Sequence, residues 1–84
     1  MRIKLDIYPY DPNQGVKVEW GDDCIVQTST GDDFTIAANR AALIELAKHL
    51  LTLAQEDTPP GSHIHYDEWF VQKANFPFIL TKIA

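Results

Sequence analysis

Apolar and polar positions alternate or recur along most of this chain, and the period changes once. From residues 2–8, Ile3, Leu5 and Ile7 alternate with Arg2, Lys4 and Asp6, a two-residue period that predicts a strand with one apolar and one wet face. Pro9, Asp11, Pro12, Asn13, Gln14 and Gly15 break it with turn chemistry, because proline fixes φ and removes a donor while glycine permits positive φ. Residues 16–20 predict a second strand with Val16, Val18 and Trp20 on one face, and Gly21-Asp22-Asp23 a hairpin turn. Residues 24–29 predict a third, β-branched strand. Thr30-Gly31-Asp32-Asp33 is another turn, and 34–37 a brief fourth strand. Turns this short favour antiparallel neighbours.

The period then becomes helical over residues 39–55, NRAALIELAKHLLTLAQ. Leu43, Leu46, Ala47, Leu50 and Ala54 recur at steps of three and four, and Ile44, Leu51 and Leu53 widen the stripe. This stripe is the face expected to be buried, leaving Glu45, Lys48, His49, Thr52 and Gln55 on the other. Asn39 is the expected N-cap. Pro59 and Pro60 end the helical pattern. Residues 62–70 predict a fifth strand, with Ile64, Tyr66, Glu68 and Phe70 on one face and His63, His65, Asp67 and Trp69 on the other. Residues 71–76 predict a loop, and 77–83 a last strand that is apolar on both sides. The fold class is therefore α+β, in the order β-β-β-(β)-α-β-β. A mostly antiparallel sheet of five to six strands would carry one long helix on one face.

At 84 residues the chain has room for a single domain spanning 1–84. Twelve Asp and Glu face seven Lys and Arg, a net charge of −5, and residues 1–38 carry seven acidic against three basic groups, or −4 of it. An acidic surface repels phosphate backbones and anionic lipid, so neither nucleic acid nor membrane is an expected partner, whereas a basic protein would be attracted. The single cysteine, Cys24, cannot form an internal disulfide. Met1 to Tyr10 has no continuous apolar run, so no signal peptide is expected, and no segment approaches the roughly 18 apolar residues of a membrane span. The expected compartment is the cytoplasm.

Candidate chemistry is sparse. On a strand, His63, His65 and Asp67 share one face at two-residue spacing, a set that could ligate a divalent ion. The competing reading is a polar strand face meeting solvent or a partner. Cys24 lies in a β-branched run, as a small core residue would. Ser62 and His63, adjacent on a strand, point to opposite faces and cannot pair as nucleophile and base. No glycine-rich phosphate loop exists. Neither an enzyme nor a cofactor is therefore expected. The turn pairs Asp22-Asp23 and Asp32-Asp33 suit either solubility or docking of a basic partner. Trp20, Trp69, Phe70, Phe76 and Phe78 exceed what one helix can cover, which leaves core and interface roles both open.

One stretch resembles a known family. Asn39, Leu43, Leu46-Ala47-Lys48-His49-Leu50-Leu51, Leu53-Ala54-Gln55, Pro60-Gly61-Ser62-His63-Ile64-His65 and Asp67 look like the pattern of immunity protein family thirty-two of bacterial polymorphic toxin systems. The similarity spans residues 39–83. The segment after Asp67 departs from it, being unusually aromatic at Trp69-Phe70 and Phe76-Pro77-Phe78. The resemblance implies a cytoplasmic, non-enzymatic protein that neutralises a cognate toxin by direct binding. His63, His65, Asp67, Trp69, Asp22, Asp23, Asp32 and Asp33 are the candidate partner-binding residues. Two alternatives stay open: a homo-oligomer, such as a homodimer, with a structural or regulatory role, and a small metal-dependent enzyme using His63, His65 and Asp67.

Overall fold

The computed structural model describes residues 1–67, 73–74 and 77–84, with residues 73–74 described by backbone alone. Strand β1 (Val26–Thr30) turns through Gly31-Asp32-Asp33 into β2 (Phe34–Ala38). Helix α1 (Arg40–Ala54) follows, then β3 (His63–Tyr66), the two-residue β4 (Lys73–Ala74) and β5 (Phe78–Thr81). The α+β class of the sequence reading holds. The single sheet does not: the strands form two small sheets, one in the order β2-β1-β4 and the other β3-β5. β1 and β2 pair antiparallel from Val26↔Ala38 to Thr30↔Phe34, and β3 and β5 from His63↔Thr81 to Tyr66↔Phe78. β4, inside the stretch expected to be a loop, pairs parallel with β1 at Gln27↔Lys73 and Thr28↔Ala74.

Residues 2–8 and 16–20 form no strand ladder, contrary to expectation. Their alternation is nevertheless real. Val16, Val18 and Trp20 are half-buried against the core while Lys17 and Glu19 are exposed. An isolated antiparallel bridge, Asp11↔Gly15, turns the arm back, and Gly15 takes a φ of 72° that glycine adopts without strain. Above the turn the contacts come from side chains. The Tyr8 hydroxyl donates to Glu19, and the Lys17 ammonium lies 4.6 Å from the Tyr8 ring centroid. Gln55 holds the arm to the helix end, donating to the Tyr8 carbonyl at 2.9 Å and accepting from the Tyr10 amide at 3.3 Å. Periodicity thus identifies the inward side chains of residues 16–20, whereas Ile3, on the apolar face expected of residues 2–8, is exposed, and the backbone is held by the helix rather than by a neighbouring strand.

The helix starts where the sequence places it. Asn39 is the N-cap and its Oδ1 accepts from the Ala42 amide at 3.0 Å, which satisfies one of the free first-turn donors. The same oxygen accepts from the Ile25 amide at 3.0 Å, and Asn39 Nδ2 donates to the Asp23 carbonyl at 2.8 Å. At the other end, the Lys82 ammonium donates to the Gln55 and Thr58 carbonyls, both at 2.7 Å. A cation in this position favours the helix C-terminus.

The buried face of the helix is not the leucine stripe. Ala42, His49, Thr52 and Leu53 are buried, while Leu43, Leu50 and Leu51 are 56, 53 and 48% exposed. The physical reason lies in how the two polar residues are satisfied. Thr52 Oγ1 returns its proton to the Lys48 carbonyl at 2.7 Å, and both ring nitrogens of His49 are hydrogen-bonded, so neither residue carries the penalty of an unpaired polar group. The core consists of Cys24, Val26, Ala42, Leu53, Ile64 and Tyr66, flanked by Trp20, Leu46, Phe78 and Leu80.

Candidate partner-binding surface

The alternation along β3 sorts its residues as the sequence predicts: Ile64 and Tyr66 are buried, His63 and His65 exposed. In the register with β5, His63 lies opposite Thr81 and His65 opposite Ile79, and residues directly opposed across strands share a face. Ile79 is 54% exposed. The outer face of this two-stranded sheet therefore presents two imidazoles, a threonine hydroxyl and an isoleucine. The imidazole centroids are 4.8 Å apart, edge to face. His63 Nδ1 donates to the Gly61 carbonyl at 2.9 Å, so in the neutral ring Nε2 is the acceptor.

Asp67 continues from the end of β3, and Tyr66 pairs with Phe78. Phe78 stacks flat on Tyr66, centroids 4.5 Å apart and planes at 9°, and meets Phe34 edge-on at 6.1 Å. Phe34 itself is 50% exposed. It is the first residue of β2, immediately after Asp32 and Asp33 at the hairpin tip. The Phe34–Phe78 contact therefore brings the hairpin tip, with Asp32 and Asp33, to the end of the β3–β5 sheet from which Asp67 continues. Aromatic side chains are favoured interface anchors, and peripheral charge steers encounter.

Asp22 and Asp23 do not join this end. They lie in the turn before β1, where the Asp23 carbonyl is bonded to the Asn39 side chain at the start of the helix. The length of β1, about 17 Å for five residues, separates them from the tip. Trp69 lies outside the described residues, as do Phe70 and Phe76. Trp20 faces inward, 5.7 Å from the His49 ring and edge-on to Tyr66 at 6.4 Å. Phe34 was not singled out by the sequence; the signal available was its position directly after an acidic turn.

The metal reading finds only two of its three ligands adjacent. Among the described residues, no group of three or more His, Cys, Asp or Glu side chains is arranged to hold an ion. His63 and His65 come together without Asp67 completing the set. Cys24 is 1% exposed and burial pushes its thiol pKa up, which disfavours the reactive thiolate. No helix among the described residues is long and apolar enough to cross a membrane.

The described residues form an α+β fold in which buried His49 and Thr52 have their polar side-chain atoms hydrogen-bonded. The chain belongs to the immunity protein 32 family, whose sequence model, described as Immunity protein 32, matches residues 33–83. That span starts at Asp33 and runs from β2 through β5, taking in Phe34, His63, His65, Asp67 and Phe78. No curated protein and no solved structure matches the chain.

Proposed function

We propose that this protein is an immunity factor that binds and neutralises a cognate bacterial toxin by direct contact in the cytoplasm, without catalysing a reaction. Membership of the immunity protein 32 family supports the role. The observation that carries the site is the half-exposed Phe34 at the end that holds Asp32, Asp33 and Asp67. A toxin that handles phosphate substrates presents lysines and arginines around its site, and carboxylates at the rim of a matching surface would speed capture while the aromatic ring anchors it.

The test is a pull-down from the native host with tagged wild-type protein, read by mass spectrometry. It is run beside a Phe34→Ser/Asp32→Asn/Asp33→Asn variant whose helical circular dichroism matches the wild type. A basic toxin domain recovered near one-to-one with wild type and lost with the variant is the expected result. Capture that survives in the variant would displace the site, and recovery of no toxin would displace the role.

A further inference from the structure

We propose that the outward face of α1 is a self-association surface, and that the protein forms a symmetric dimer through an antiparallel pair of these helices. Leu43, Ile44, Ala47, Leu50, Leu51 and Ala54 fall within a sector of about 120° on a helix of 3.6 residues per turn, centred on Ala47. That sector points away from the one holding Ala42, Leu46, His49 and Leu53. Leu43 is 56% exposed, Leu50 53% and Leu51 48%. Beside them Met1, Ile3 and Leu5 form the far wall of a groove of about 350 Å³ whose near wall is Leu43, Ile44 and Ala47. Leucines scattered singly on a surface need no explanation, but a contiguous apolar band does.

The order of the residues along the band fits a second copy of this chain. A two-fold axis through Ala47 with the helices antiparallel sets position 43 opposite 51, 44 opposite 50 and 40 opposite 54. Every pair in the centre is then apolar against apolar, and the smallest side chain lies at the crossing, where it lets the axes approach. An isologous interface requires this self-complementarity. The ends match in charge as well. Arg40 has no ion-pair partner among the described residues, and the antiparallel register carries it to the end of the second helix, beside exposed Glu56 and Asp57. A basic toxin is a poorer occupant by comparison, because the centre of this band is apolar and its carboxylates, Glu56 and Asp57, lie only at the end. The helix face is about 22 Å long, and with the groove wall it supplies on the order of 500 Å² per copy, below the roughly 800 Å² of a standard interface. The dimer is therefore expected to be a weak one whose population depends on concentration. It shares no residue with the Phe34 end, so each copy would keep its own toxin-binding surface.

Sedimentation equilibrium of the full chain alone, from about 1 to 200 μM, is expected to show mass rising from monomer to dimer. A Leu43→Glu/Leu51→Glu variant should remain monomeric throughout, with helical circular dichroism unchanged. Arg40→Glu should weaken the dimer about tenfold, and adding Glu56→Lys/Asp57→Lys should restore it. Ala47→Cys should oxidise to a dimer cross-linked to itself, because helix axes 8–10 Å apart put the two facing Cα atoms within about 3.5–5.5 Å, which overlaps the range a disulfide spans. Cys24, 1% exposed, does not compete. A monomer at every concentration, a dimer that survives the double glutamate change, or Ala47→Cys chains that do not cross-link would each overturn the proposal. No toxin enters these experiments, so their failure leaves the immunity reading untouched, and failure to capture a toxin leaves the dimer untouched.

Discussion

Tyr66 and His49 meet in the core at 2.5 Å between the hydroxyl and Nδ1, while His49 Nε2 lies 2.7 Å from the Glu19 carbonyl oxygen. A carbonyl can only accept, so Nε2 carries the proton and Nδ1 accepts from Tyr66. The imidazole is 1% exposed and its pKa is held below the ordinary histidine value, chiefly by burial. Glu45 opposes that shift, and Lys48 adds to it. In the unfolded chain the same group protonates near pH 6.5. The unfolded state therefore binds the extra proton first, and the stability carried by neutral His49 is full above about pH 6.5 and falls below it. Urea melts taken at pH 7.5 and stepped down towards pH 5 should show a falling midpoint. In His49→Gln, destabilised by about 1–3 kcal/mol for the groups left imperfectly paired, that slope should flatten. An equal slope in both proteins would assign the pH effect to other groups.

Removing the Asn39 side chain should be more damaging than losing an ordinary cap. Asn39→Ala deletes the acceptor of the Ala42 and Ile25 amides and the donor to Asp23. A cap alone contributes about 1 kcal/mol, and the two further bonds bring the expected loss to about 2–3 kcal/mol. Asn39→Asp keeps the acceptor and loses only the donor, so its thermal midpoint should fall between wild type and Asn39→Ala. If both variants melt alike, the donor carries the effect.

Gly61 adopts a φ of 89°, and a Cβ built there meets no atom within 4 Å. The restriction is in the backbone alone. Gly61→Ala should lower stability by about 1–2 kcal/mol, a thermal shift of some 4–16 °C in a domain of this size. Gly31 has equally open space and no positive φ, so Gly31→Ala is the control and should change the midpoint little.

Cys24 gives a direct measure of opening. With the thiol buried and its pKa raised by desolvation, reaction with a disulfide reagent should be slow in the folded protein. It should accelerate in step with urea unfolding. Rapid stoichiometric labelling under native conditions would show that the core around Val26 and Tyr66 opens locally.

Much of this could be read from local chemistry. Asn39 as cap, the prolines after the helix, and the His63/His65 against Ile64/Tyr66 division along β3 follow from rules that act within a few residues. The helix face did not follow, because the period that marks an apolar stripe cannot show which side meets a second layer. His49 and Thr52 look polar in sequence and are buried because Glu19, Tyr66 and Lys48 supply their partners. The parallel β1–β4 pair joins residues 46 positions apart at Gln27 and Lys73 and leaves no local signature. The Asp32, Asp33 and Asp67 end became visible only through the Phe34–Phe78 contact, which no spacing predicts.

The three hydrogen bonds of the Asn39 side chain have a kinetic consequence. Starting a helix is unfavourable until its first turn is closed, and here the oxygen that closes it also holds Ile25 while the amide nitrogen holds Asp23. Closing the first helical turn and holding the segment that leads into β1 are thus coupled through one side chain, and the two are expected to form together in folding. A chain lacking this side chain would fold more slowly and unfold at nearly the same rate.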